Sequence, residues 1–254
     1  MPLKPFHLLL AAAAMLPSAA CNADKGSDSA PAATQSELPK VARPANGDWS
    51  QVVTQTPEGG FMMGDPQAKV RLLEFASMTC PHCAEFDETV VQPLIDKYVK
   101  SGQVSYELRN YVRDGFDVAA TLIARCNSTK GFFPLTRALF KDQEQWVGKV
   151  QATPPEQLEQ LKSLPPNRQF LELAKIAGFQ QWAAARGIPE AKSTQCLTDE
   201  NAVNQLVQMA GNATTDYPNF SGTPNFAING KLDEKIAGWP ALEAAIRNTL
   251  GERG

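Results

Sequence analysis

Histidine is nearly missing from this chain, with two in 254 residues, at positions 7 and 82. No H-x-x-x-H spacing exists, and only one C-x-x-C occurs among five cysteines, so the four ligands of a closed zinc site are not supplied. No metal and no cofactor is expected. The chain also lacks any cluster of Lys and Arg interleaved with aromatics. Its net charge of -3 and pI near 5.5 offer no long-range attraction to a phosphate backbone, so nucleic acid is not an expected partner. Nor does any apolar run reach the roughly 20 residues that a membrane-spanning helix needs. What is present is ordinary for a soluble globular protein: 43% hydrophobic and 20% charged residues, enough for one large domain or two small ones.

The first twenty residues differ from the rest. Lys4 is their only charge, an apolar run extends from Phe6 to Leu16, and Pro17, Ser18, Ala19 and Ala20 follow. This is the pattern of a secretory signal peptide, residues 1–20, and His7 inside it needs no catalytic role. Cys21 comes next, and "LPSAAC" resembles a bacterial lipoprotein processing box, although Ser18 stands where that box usually has Leu. Lipidation at Cys21 is expected, holding the protein at a membrane surface without spanning it. Residues 21–48 have almost no large apolar side chains and read as a flexible tether. Residues 49–254 form the folded domain.

Export places the cysteines in an oxidising compartment, where thiols pair. Setting Cys21 aside leaves Cys80, Cys83, Cys126 and Cys196. The two-residue spacing pairs Cys80 with Cys83 and leaves Cys126 with Cys196 as a structural disulfide, the alternative being two separately buried thiols.

"KVRLLEFAS" (69–77) is rich in strand formers and runs directly into "MTCPHC". Phe86, Val90, Val91, Leu94, Ile95 and Tyr98 then recur at helical spacing, with Pro93 expected to kink the helix. "VSYELRNYV" (104–112) alternates as a strand, with Val104, Tyr106, Leu108 and Val112 on one face. About 116–211 reads as helical. "PNFAI", Asn229-Gly230 and "KLDEKIAG" read as a hairpin, and a helix with Pro240 near its start and Gly251 past its end closes the chain. A β-α-β half and a β-β-α half thus flank a helical insertion. Met62, Met63, Phe132, Phe133, Phe140 and Trp146 are expected in the core or at a hydrophobic rim.

This order, with Cys-Pro-His-Cys after a strand and "GTPNFAING" beyond the insertion, resembles the thioredoxin-like fold of the DsbA family of exported thiol-disulfide oxidoreductases. The likeness covers about residues 58–250. It implies that the Cys80–Cys83 pair is a redox centre, with Cys80 as nucleophile at the first turn of a helix, where backbone N–H groups and the helix dipole favour a thiolate. Cys83 would resolve the mixed disulfide. Pro81 suits the first helical position, and His82 adds positive charge or a hydrogen bond. Glu74, six residues before Cys80, matches the place where such enzymes carry a buried acid, which would have a raised pKa and pass protons to or from Cys83. Thr223-Pro224 matches the family's cis-proline, beside which the Thr223 backbone would pair with an extended substrate.

The function expected is donation of the Cys80–Cys83 disulfide to unfolded or folding exported proteins with free cysteines, in the periplasm, with reoxidation by a membrane redox partner. A disulfide isomerase or reductase is the alternative within this chemistry. A surface-anchored peptide-binding or chaperone module with purely structural cysteines is the alternative outside it.

Overall fold

A computed structural model describes residues 41–252. The signal peptide, Cys21 and the tether up to residue 40 lie outside the described residues.

The centre is a six-stranded mixed sheet in the order β1-β2-β4-β3-β5-β6: Val53–Gln55, Phe61–Met63, Val104–Asn110, Val70–Ala76, Asn225–Ile228 and Lys231–Leu232. β3 and β4 run parallel, and the other pairings among the described residues are antiparallel. The crossover joining them is helical: α1 (Pro81–Phe86), a π turn (Asp87–Val91), α2 (Gln92–Leu94) and a second π turn (Ile95–Val99). Pro93 therefore sits between two π turns, the kind of irregularity that re-routes backbone hydrogen bonds around a missing N–H. The late hairpin turns at Asn229-Gly230, both with positive φ (49° and 82°), as a tight turn between antiparallel strands requires. Its second strand is only two residues, shorter than "KLDEKIAG" suggested. The last helix, α11 (Trp239–Leu250), starts around Pro240 and ends at Gly251 in the left-handed region.

Between β4 and β5 come the inserted helices α3 (Gly115–Arg125), α4 (Phe132–Lys141), α5 (Gln143–Gln151), α6 (Pro155–Leu161), α7 (Pro166–Ala177), α8 (Phe179–Ala184), α9 (Glu190–Leu197) and α10 (Glu200–Asp216). The chain has the α/β thioredoxin-like fold with this helical insertion.

β3 and β4 are buried on both faces, so neither alternates cleanly between core and water. Val70, Leu72 and Ala76 join the main core with the crossover helix and the insertion, while Leu73 and Phe75 meet Ala213 and Tyr217 on the other side. Helix α10, continuing five residues past the expected end at 211, supplies this second cover. β4 ends at Asn110, so Val112 lies past the strand. The aromatics Phe132, Phe133, Phe140 and Trp146 are all buried, as are Met62 and Met63.

Cys126, the C-terminal cap of α3, is disulfide-bonded to Cys196 on α9, with 5.5 Å between their Cα atoms. The bond closes a loop across 70 positions of sequence. In the chain-entropy model, replacing both with alanine removes about 4 kcal/mol of stability. A lowered urea midpoint with a steeper slope is the expected result, because the denatured chain without the cross-link is less compact.

Candidate redox site

β3 ends at Ala76, and a turn closed by the Cys80 N–H donating to the Ser77 carbonyl (3.1 Å) delivers Cys80 to the start of α1. Cys80 is the N-cap, with extended backbone (φ -87°, ψ 118°), and Pro81 occupies the first turn, where its missing N–H costs nothing. Cys83 follows one turn on. Both cysteines are buried free thiols, and the Cys80 Sγ donates to the Thr223 carbonyl at 3.2 Å. Thr223-Pro224 is a cis peptide bond. Cys80, Pro81, Cys83, Thr223 and Pro224 are thus brought together at one end of the sheet.

The two sulfurs are electrostatically unlike. Cys80 is lowered to about 5: the hydrogen bond from the Cys83 thiol acts first, burial opposes it, and the Cys83 N–H and Arg113 add to the lowering. That N–H belongs to the third helical residue, the group an N-cap side chain ordinarily satisfies. Cys83 is raised, by burial first, then by its hydrogen bond to Cys80 and by the negative charge of Glu74.

Glu74 lies mid-strand in β3, 1% exposed, on the face that meets the crossover helix, and the Tyr106 hydroxyl donates to its Oε2. Burial raises it to about 8, against the Tyr106 bond and with help from Asp87 and Cys80. His82 is placed differently. Its side chain is 76% exposed, with Nδ1 3.6 Å from Glu85 Oε2.

A match to the family model described as Thioredoxin runs over residues 56–248. The chain belongs to the thioredoxin family. Within it, this is a DsbA-like protein-disulfide oxidoreductase. A crystal structure of a protein-disulfide isomerase from Novosphingobium aromaticivorans is similar with a TM-score of 0.71 and 33% identity, covering 75% of this chain and 97% of that one. A Rickettsia bellii chain named in the protein-disulfide oxidoreductase class is 25% identical over 203 residues, 80% of this chain and 69% of its own length. The thiol:disulfide interchange protein DsbA of Bordetella parapertussis is 25% identical over 170 residues, 67% of this chain and 68% of its own length.

In this DsbA-like chain, several groups that the sequence reading passed over surround the cysteines. Asp87, buried and raised to about 6 chiefly by burial, lies on the crossover helix, with Arg137 Nε 3.4 Å away. Its signal was present: it falls four residues after Cys83, inside an otherwise apolar stripe. Asp117 on α3 accepts from the Ser77 hydroxyl (2.6 Å) and from the backbone N–H of Met78 (2.8 Å) and Arg113 (3.0 Å). Gln143 Nε2 on α5 donates to the carbonyls of Met78 (2.7 Å) and Cys80 (3.0 Å). Residues 77–80 are held on two sides by the helical insertion, across sequence separations of about 40 and 63–65 that no local pattern reveals.

Proposed function

We propose that this chain is an exported donor of disulfides, passing its Cys80–Cys83 bond to folding proteins through a mixed disulfide at Cys80. The observation that carries this reading is the opposed ionisation of the pair, with Cys80 held down at about 5 and Cys83 pushed up. A stabilised Cys80 thiolate favours the reduced pair and makes the disulfide an oxidant.

A substrate thiolate attacks the Cys80 sulfur, the substrate–Cys80 bond forms, and Cys83 leaves with the bonding electrons. A sulfur whose thiolate is disfavoured must then take a proton, and Glu74, raised to about 8, is protonated near neutral pH and acts on the same sulfur. A second substrate thiolate attacks the substrate sulfur of the mixed disulfide, and Cys80 departs as a thiolate. The substrate has lost two electrons and the pair has gained them. The Thr223 carbonyl, already an acceptor for Cys80, lies beside the sulfur where an extended segment would pair with the backbone.

The substrates are cysteine-bearing exported proteins, and a membrane redox partner restores the disulfide. Lipid at Cys21 would keep the enzyme at the membrane surface of the periplasm, which mass analysis of the mature N-terminus tests. Isomerisation is the second reading, favoured by the name of the Novosphingobium structure. Equilibration of the pair against glutathione separates the two directions of flow. A potential near about -120 mV supports disulfide donation, and one near about -270 mV overturns it in favour of a reductase.

Replacing Cys83 with alanine removes the other free thiol among the described residues, the one able to release a substrate from Cys80. The variant is expected to react once with a disulfide substrate and stay attached, visible as a band on non-reducing gels that a thiol reductant abolishes.

A further inference from the structure

A thiolate at Cys80 calls for positive potential, and the imidazole inside the motif is turned towards Glu85 and solvent. A guanidinium arrives from elsewhere. Arg113 stands between β4 and α3, with its Nε donating to Ser77 Oγ (2.9 Å) and an Nη to Thr79 Oγ1 (3.0 Å). These bonds span the loop that ends at Cys80. The hydroxyls it grips are themselves oriented, since Ser77 donates to Asp117 (2.6 Å) and Thr79 to Asp114 (3.1 Å). Each hydroxyl therefore turns a lone pair, not its hydrogen, to Arg113. The Arg113 backbone N–H is fixed by Asp117 as well.

The choice of partners matters for charge. Arg109 is matched by Glu107 and Glu58, and Arg137 by Asp87. The Arg113 guanidinium, among the described residues, makes no ion pair within 4.0 Å; its side-chain bonds go to neutral oxygens, with a hydroxyl between it and each acid. Its field is thus less cancelled than that of a paired arginine.

We propose that Arg113 is a fixed cation for the active-site sulfur, aimed by the Ser77, Thr79, Asp114 and Asp117 side chains so that its charge favours the Cys80 thiolate without touching it. The proposal rests on Cys80 being the nucleophile. Its influence has the required sign, since the positive charge of Arg113 is among the causes that lower Cys80. Because the residue is exposed, salt should weaken the effect.

The test is the rate of Cys80 alkylation by iodoacetamide against pH in the reduced full-length protein, at low and high salt. Glu74, Asp87, Asp114, Asp117, His82 and Glu85 also titrate or carry charge around the motif, so variants are compared with wild type under identical conditions. Arg113→Gln keeps a donor for the hydroxyls and removes the charge; Arg113→Lys keeps the charge. Gln is expected to slow alkylation on the acid limb of the profile by roughly three- to tenfold, the scale of one partly exposed charge. Lys should recover most of that loss, and added salt should slow wild type and Lys but not Gln. An unchanged profile in Arg113→Gln overturns the proposal, as does a Lys variant indistinguishable from Gln. If Arg113→Gln fails to fold, wild-type and Lys profiles that ignore salt overturn it equally. Failure of the underlying reading looks different: wild-type Cys80 would itself titrate as an ordinary thiol near about 8.5.

Discussion

Replacing Cys80 with serine is expected to abolish disulfide transfer while leaving the protein folded. Cys80 is the N-cap of α1 with extended backbone, and its side chain makes no capping hydrogen bond. Serine is among the favoured residues at that position, and a good cap is worth about 1 kcal/mol. The wild type places there instead a sulfur lowered to about 5, whose thiolate itself favours the reduced fold at neutral pH. A hydroxyl has no comparable anion near neutral pH and cannot form a disulfide, so the loss is of chemistry and not of structure. Oxidation of a reduced two-cysteine peptide, followed by thiol titration, should fall to the rate without enzyme, with a cooperative urea transition whose midpoint matches or exceeds that of reduced wild type only below about pH 5, where Cys80 is protonated. Retained oxidation would place the nucleophile elsewhere. Continued binding of unfolded peptides by an oxidation-dead variant would show that the insertion contributes affinity independently of the sulfurs.

What was readable in the sequence follows from how local each signal is. β3, the cysteine motif and the crossover helix are contiguous, so a strand-forming run followed by helical spacing located them. Asn229-Gly230 marked the late hairpin because two successive positive φ values are tolerated by few residue pairs. The N-terminal hairpin was not readable. β1 and β2 are three residues each, too short for a period of two to register, and Met62-Met63 looked only like core. Val112 continued the alternation of β4 on paper, whereas the strand stops at Asn110 and the chain turns towards α3.

The chemistry divides in the same way. Glu74 stood out as an acid within an apolar strand, and Cys80, Pro81 and Cys83 as a motif. The hold on that motif could not be seen, since Asp117, Arg113 and Gln143 are ordinary polar residues whose partners lie 34–65 positions away. His82 shows the opposite limit. Sequence places it between two sulfurs, and helical geometry turns it out beside Glu85.

Changing Glu74 to glutamine is expected to make the protein more stable at alkaline pH and slower as a catalyst. A carboxyl raised from 4.5 to about 8 on folding favours the folded state most when protonated. Its contribution is intact below the unfolded value, declines as pH rises from 4.5 to about 8, and is constant above. At about 1.4 kcal/mol per pH unit, the full decline is on the order of 4–5 kcal/mol. Glutamine keeps an oxygen to accept the Tyr106 hydroxyl and cannot ionise. Its stability should therefore exceed that of wild type by a few kcal/mol at pH 8.5, with the gap closing towards pH 4.5, as urea titrations at several pH values would show. The same exchange removes the proton source for Cys83, whose thiolate is a poor leaving group in this buried position. Disulfide transfer should slow by about a hundredfold, the usual scale for a lost general acid. A gap that is the same at every pH would mean that Glu74 is not the titrating group, and a stabilised variant with unchanged transfer rates would move the proton donor to Asp87 or to water.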